Sequence, residues 1–398
     1  MASASEKKAK EEAKAAKLAA KLGITLEELA DRNVPEVGFD QNGERRFDYG
    51  TRSFAVTLCA VAPGVKFGVF ELKEQKTEKA GKKNRDAAAG RSGSGNKTAA
   101  ADGSNLVYGK MTRSLPKPGK NDDPERAEAA QEEFKKMKKE LNAVVKVQKK
   151  RLELALMTGR YWSTDAWMEL FGKHPIMRCM AFALVWGIYE SGQLVQTFCC
   201  REDGLFYNIE GKEFSLPEDV KIGLVYPLEL SKEERKAWLE QIWEDNIKEP
   251  PIGQLDLKTY IVHKQEAKKK KLVRCKGKLF LDEVFGGKLE KFGWHRGRMD
   301  EEHDFYDIYY REDKDAGLSV ELHTSGNTPW DNMEIELYGV RFFEAGTFDW
   351  ETHIYDEKDE EKAITLQDVK DRYFSEVVRQ IMEAGAESYL WDGSADID

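Results

Sequence analysis

Six side chains stand out in this sequence for the chemistry their types and neighbours allow: Arg160, Trp162, Tyr226, Gln254, Trp294 and Arg296. Four of them fall in two short aromatic–arginine clusters, Arg160-Tyr161-Trp162 and Trp294-His295-Arg296. A loop tryptophan beside a guanidinium can stack on a base or a peptide and hold an anion. The ring face is electron-rich, and the guanidinium presents a planar fork of donors. The competing reading is that each tryptophan plugs a joint between layers with an arginine over its ring, because tryptophan is a highly buried residue on average. One observation separates the two: whether the clusters line a shared cleft or are packed into layers.

Other chemistries lack their motifs. The five cysteines (Cys59, Cys179, Cys199, Cys200, Cys275) form no CxxC, and Cys199 and Cys200 are adjacent. Neighbouring strand residues point to opposite faces, so that pair cannot easily share a metal. The six histidines have no HExxH spacing. Reduced thiols and no metal site are therefore expected. "DEEHD" at 300–304 reads as a solvated turn, without a calcium-loop pattern. There is no GxxxxGK[ST] and no GxGxxG after a strand. "GRSGSGNKT" lies among lysines and alanines and reads as linker, and no nucleophile elbow is formed. No catalytic residue is assigned and no cofactor is expected.

The elements that must position the six residues follow from periodicity and punctuation. Residues 5–33 read as helix, with Thr25 and Glu28 at capping-box spacing. Short strands follow to about Leu72, and residues 73–105 are a Lys/Gly/Ala/Ser segment that cannot bury enough apolar surface to offset chain entropy. Asp123 caps a long helix with Pro124 at its first position, an apolar stripe from Ala127 to Ala155, and Gly159 as its stop. "KHPIMRCMAFALVWGIYESGQLVQTFCC" is the most apolar stretch. Its apolar part holds about 14 residues and includes Arg178, too short for a span of about 20. It reads as a core helix running into hairpins at "SG" and "DG". Ser231 and Glu234 cap a further helix, three alternating strands occupy the last third, and a helix closes the chain with Gly385 past its end.

Strands and helices cluster rather than alternate, which gives an α+β fold of helices packed on antiparallel β-meanders, with a low-complexity insertion and an acidic C-terminal tail. The chain divides into 1–115 (N-terminal helix and a small β region around a disordered insertion at 73–105), 116–250 (long helix, core helix and meander) and 251–398 (a C-terminal α+β region). With 398 residues, 34% charged, a net charge of -9 and no apolar N-terminal leader, the reading is a cytoplasmic protein and not a general nucleic-acid coat.

Several segments in order resemble one family: "ELADRNVP", "FDYG", "LPKPGKNDDPERA", "QKKRLELALMTGRYWS", "HPIMRCMAFALVWGIYESGQLVQTF", "VKIGLVYPLEL", "GWHRG" and "FSEVVRQI". The chain resembles the MolR-like family that carries domain of unknown function 4132, from about residue 12 to 385 apart from the insertion. That family has no settled biochemical function. Longer relatives carry this region after a WGR domain or helical repeats. This chain has no Trp-Gly-Arg and no such repeats, a departure that puts in doubt a DNA-related role inferred from them. Relatives often have histidine in an "HPLEL" motif; here it is "YPLEL" with Tyr226, so no catalytic imidazole is carried over.

The reading is a non-catalytic binding or regulatory module with a protein partner and no membrane. One alternative is an enzyme or small-ligand-binding domain using an Arg/Trp-lined cleft. The other is a nucleic-acid-associated stress-response protein, resting on the basic stretches at 135–151 and 264–278 and on what the resemblance to the longer relatives implies. Oligomeric state and substrate are not read from the sequence.

Overall fold

The computed structural model describes residues 4–58, 65–74, 106–201, 203–244, 250–299, 305–327 and 334–386. The segment 75–105, the turn at 300–304 and the acidic tail from 387 lie outside the described residues. The chain forms two compact units: Met1–Leu152, Trp162–Ile222 and Trp238–Ile252 make the first, and Glu153–Tyr161, Gly223–Ala237 and Gly253–Asp398 the second.

The first unit opens with helices α1 (Ala4–Leu22) and α2 (Leu26–Arg32). The sequence reading had one helix here. Gly23 takes φ +66 and breaks it, and Thr25 and Glu28 form the expected capping box. Strands β1 (Glu44–Asp48), β2 (Ser53–Leu58), β3 (Phe67–Glu74) and β4 (Leu106–Thr112) pair in sequence order as an antiparallel sheet. Helix α3 (Pro124–Thr158) starts where the Asp123 carboxylate accepts from the Glu125 and Arg126 amides. It stops at Gly159, whose φ of +72 disfavours any residue with a side chain. The apolar stripe is buried as its spacing requires, from Ala127 and Phe134 to Leu152 and Ala155.

After β5 (Tyr161–Ser163), Ser163 caps α4 (Thr164–Trp167), and one wider helical turn, Met168–Lys173, leads to α5 (Pro175–Ala181). Helix α5 ends three residues before Leu184, shorter than the sequence reading. Ala183 has φ +65, which turns the chain into β6 (Trp186–Glu190). Ser191 and Gly192, both at positive φ, make the tight hairpin into β7 (Gln193–Cys200). Strands β8 (Phe206–Asn208) and β9 (Glu213–Phe214) complete the meander, and β10 (Lys221–Leu224) with β5 extends its other side. Helix α6 (Lys232–Glu244) follows the Ser231–Glu234 capping box. The core under the meander is aromatic. Trp167 and Trp186 lie edge to face at 5.2 Å, Phe171 and Trp186 at 4.7 Å, and Trp162 meets Trp186 at 5.9 Å. Cys199, Cys200 and Cys275 are free thiols. Cys179 is disulfide-bonded, which corrects the expectation that every thiol is reduced.

The second unit is built on β11 (Lys271–Leu272), β12 (Leu279–Leu281), α7 (Asp282–Lys291), β13 (His295–Arg296), β14 (Tyr306–Asp313), β15 (Leu318–Asn327), β16 (Glu334–Glu344) and α8 (Asp371–Ala386). Its antiparallel sheet runs β11-β16-β15-β14-β13, with β12 also on β16. Alternation gives it two faces. Val320, Leu322, Val340 and Phe342 share a core with α7 and α8. The opposite face carries a cross-strand row, Lys271–Arg341–Glu321–Tyr310–His295. Gly385 lies inside α8 rather than past its end, because the helix runs one residue further. Both units bear out the α+β reading.

Candidate functional site

Helix α8 organises the second unit. Its apolar side, Tyr373, Phe374, Val377, Val378 and Ile381, lies in the core. Four polar residues, Arg372, Ser375, Glu376 and Gln380, are buried with it. They recur at helical spacing, so one buried stripe of the helix is polar. A buried polar group without a partner costs about 1–3 kcal/mol, so each must be matched.

Three of the six nominated residues supply or border those matches. Trp294, 1% exposed, donates its indole N–H to Gln380 Oε1 at 2.7 Å. Tyr226, fully buried, donates its hydroxyl to Ser375 Oγ at 3.0 Å, with Glu376 Oε2 at 3.4 Å. Burial, and then the negative charge of Glu376, push the Tyr226 phenol far above its usual range, so it stays neutral and donates. Ser375 Oγ also accepts the Tyr260 amide at 2.9 Å. Gln254, 2% exposed, donates to the Val225 carbonyl at 2.8 Å beside Tyr226. Arg372 reaches the Leu156 and Leu224 carbonyls and pairs with Glu229. "YPLEL" is thus a fastening turn: Tyr226 and Glu229 are both held by α8, and Glu229 also accepts the Tyr226 amide at 2.7 Å.

Arg296 belongs to a second constellation in the same unit. The Asp282 carboxylate, at the start of α7, accepts both the Tyr306 and the Tyr309 hydroxyl. The Arg296 guanidinium lies 3.6 Å from the same carboxylate and 4.9 Å from the Tyr306 ring centre, with a third of its side chain exposed. Burial raises both phenols, helped at Tyr306 by the hydrogen bond to Asp282 and at Tyr309 by its charge. Gly286 makes the room: a Cβ there would sit 2.3 Å from the Tyr309 hydroxyl and 3.1 Å from Arg296 Nη2. Chemically, two hydroxyl donors and a guanidinium compensate the Asp282 carboxylate, and the guanidinium Nε also lies 3.5 Å from Glu290 Oε1.

The other two nominated residues are placed differently. Trp162 is 5% exposed in the first unit and donates to Asp31 Oδ2 at 2.9 Å, while Arg151 pairs with Glu27 and Asp31. Arg160 is half-buried after α3, and its carbonyl lies 3.0 Å from where a Gly223 Cβ would be. Arg160 and Tyr161 thus belong to the second unit and Trp162 to the first, while Trp294, His295 and Arg296 share the second.

Sequence reasoning missed Asp282, Tyr306 and Tyr309. Tyrosines three apart in a strand should face opposite sides, but a bulge between Tyr306 and Ile308 resets the alternation and brings both to Asp282. It also missed the far face of the sheet. There Arg341, 1% exposed by side chain, pairs with the fully buried Glu321 at 2.7 Å, and His353 adds a 3.0 Å contact to Glu321. His323 stacks on Tyr355 at 3.5 Å, and its Nδ1 has no hydrogen-bond partner. Burial, with the charges of Lys271 and Arg341, lowers the His323 imidazole to about 4. Strand alternation placed these residues on one face; only the covering segment, with Trp350, His353 and Tyr355, showed that the face is buried. Among the described residues, no group of three or more His, Cys, Asp or Glu is arranged to hold a metal, and no helix is long and apolar enough to cross a membrane.

An α+β chain with this buried polar scaffold can now be set beside known proteins. Residues 109–294 match the model of a family described as domain of unknown function (DUF4132). The matched segment ends on Trp294, so α8, which receives that indole, lies beyond it. A relative, the uncharacterized protein YehI of Escherichia coli (strain K12), is 28% identical over 282 residues, covering 70% of this chain. The chain spans about a fifth of that relative's length, 20%. No solved structure matches.

Proposed function

We propose that this chain is a non-catalytic binding or regulatory module of the MolR-like family, acting in the cytoplasm on a protein partner. The observation that carries the reading is the Trp294–Gln380 hydrogen bond: a residue nominated for ligand stacking is 1% exposed and committed to an internal acceptor. Tyr226, Gln254 and Trp162 are committed in the same way. Exposed apolar surface lies elsewhere. Trp243 is 68% exposed on α6, and Leu239 one turn earlier is 37% exposed. Tryptophan is among the residue types enriched in the anchoring positions of protein interfaces. The test is affinity capture from native lysate with the wild-type chain and with Trp243→Ala. The reading expects a reproducible partner that Trp243→Ala loses while its melting temperature is unchanged. Failure to recover any reproducible partner counts against it. The free thiols at Cys199, Cys200 and Cys275 fit a reducing compartment, whereas the Cys179 disulfide does not. Thiol trapping in intact cells checks the location: a cytoplasmic chain shows Cys179 reduced.

A second reading rests on Arg296, whose side chain is a third exposed beside Asp282, Glu290, Tyr306 and Tyr309 and supplies the positive charge a small anion needs. A thermal-shift screen of anionic metabolites against wild type and Arg296→Ala tests it. A ligand that raises the wild-type melting temperature and not the variant's supports a ligand-binding domain; no shift with any anion removes the reading.

A further inference from the structure

The solvent side of α3 has an arrangement that the protein-partner reading does not use. Helix geometry of 3.6 residues per turn places Lys135, Lys138, Lys139, Lys146, Lys149 and Lys150 within an arc of about 120°. All six are exposed. Between positions 135 and 150 the only other residue in that arc is Asn142, another hydrogen-bond donor. The single acid in this span, Glu140, falls outside the arc and pairs with Lys136 at 3.8 Å. Acids return to the arc at Glu128 and Glu132 before the stripe and at Glu153 after it. Among the described residues none of the six lysines makes an ion pair; Lys138 lies over the Phe134 ring at 5.7 Å. The opposite side of the helix, with Phe134, Met137, Leu141, Val144 and Gln148, is buried and fixes the stripe outward. The result is a straight row of unpaired positive charge about 22 Å long at 1.5 Å per residue.

We propose that this stripe is a sequence-independent docking surface for the phosphate backbone of duplex nucleic acid. Charge density is the first argument. Duplex DNA carries one negative charge per about 1.7 Å of axis with both strands counted, so a 22 Å length holds roughly 13 phosphates, about two for each lysine of the stripe. Residue type is the second. Protein interfaces are depleted in lysine and enriched in aromatics, methionine and arginine, and this arc holds none of the enriched types. Lysine ammonium groups are point charges on flexible stems, suited to phosphates and not to reading base edges. The whole chain is at -9, so attraction is local and binding depends on this face alone. This goes beyond the protein-partner reading and stands on different residues, so either can fail without the other.

The test is fluorescence anisotropy of the full chain with a labelled 20-base-pair duplex between 50 and 200 mM NaCl. Four lysines in the stripe are changed together (Lys135→Gln, Lys139→Gln, Lys146→Gln, Lys150→Gln), which keeps helix propensity. A control variant carries Lys264→Gln, Lys268→Gln and Lys269→Gln in the other basic run. Circular dichroism confirms that both remain helical. The proposal expects duplex binding whose log–log salt slope is about -4 to -5, a loss of about 250- to 1,000-fold in affinity across that range. The stripe variant lowers the slope by about 4, and the control leaves it unchanged. No binding at 50 mM salt overturns the proposal. So does binding that survives in the stripe variant, or displacement of the duplex by polyglutamate at equal charge, which would assign the stripe to an acidic protein.

Discussion

The two units solve the same packing problem with different materials. Under the meander of the first unit, Trp167, Phe171, Trp186 and Phe198 meet mostly edge to face, and burial of ring area holds the layers together. In the second unit, charged and polar side chains run through both faces of the sheet: Arg372 and Gln380 on α8, Arg311 paired with Asp313, Asp282 with its two tyrosines, and Arg341 with Glu321. An apolar core accepts any side chain of about the right volume, at modest cost. A buried polar network accepts only the partner with the right atoms in the right place, because one missing group leaves another unsatisfied. The second unit is therefore the more sharply specified.

That contrast can be broken most directly at Arg341. Removing its charge with Arg341→Met strands the buried Glu321 carboxylate, and the expected loss is about 3–5 kcal/mol of unfolding free energy in urea. Adding Glu321→Leu should recover at least half of the loss; a double variant as unstable as the single would show that volume, not charge, governs this site. In the first unit, Trp167→Ala should also cost about 3–5 kcal/mol, through the cavity it leaves. Trp167→Phe should cost less than about 2 kcal/mol, since the Trp167 indole N–H has no hydrogen-bond partner to lose. Equal losses for the two Trp167 variants would contradict the aromatic-volume account.

Gly286→Ala tests the constellation at the start of α7. The added Cβ would overlap the Tyr309 hydroxyl, and a loss of about 1–3 kcal/mol in chemical denaturation is expected even though alanine is the better helix former. A stabilised variant would mean that Tyr309 moves aside freely. The smallest effect is pH-dependent. His323 is held neutral, with a folded value of about 4 against an ordinary 6.5, so the unfolded chain takes up a proton first as pH falls. Its contribution is complete above pH 6.5 and declines as pH drops toward 4. Lys271, Arg341, Asp307, Tyr338 and Tyr355 surround the ring. A His323→Gln variant should show a flatter melting-temperature profile between pH 6.5 and 4.5, and a profile parallel to wild type would remove this assignment.

Much of the architecture was legible because it is local. The Thr25 and Ser231 capping boxes, the Pro124 start and Gly159 stop of α3, and the Ser191-Gly192 hairpin are each fixed by a few neighbouring residues. Element ends that depend on tertiary packing were not: α5 stops at Ala181 and α8 continues through Gly385. The nominated residues were identified by type, and their fate depends on contacts far apart in sequence. Tyr226 meets Ser375 across 149 positions, and Trp294 meets Gln380 across 86. No periodicity encodes such pairs. Asp282 stayed hidden for a related reason, since a bulge changes which tyrosines face it.

If Trp294, Tyr226 and Gln254 fasten the second unit together instead of waiting for a ligand, their buried hydrogen bonds must carry stability. A double-mutant cycle between Trp294→Phe and Gln380→Met, read by urea unfolding, tests it. The account predicts that each single change destabilises and that the pair couples by about 1 kcal/mol, the net value of one buried hydrogen bond. Additivity within about 0.3 kcal/mol, with Trp294→Phe as stable as wild type, would contradict it and return Trp294 to the list of residues held ready for binding.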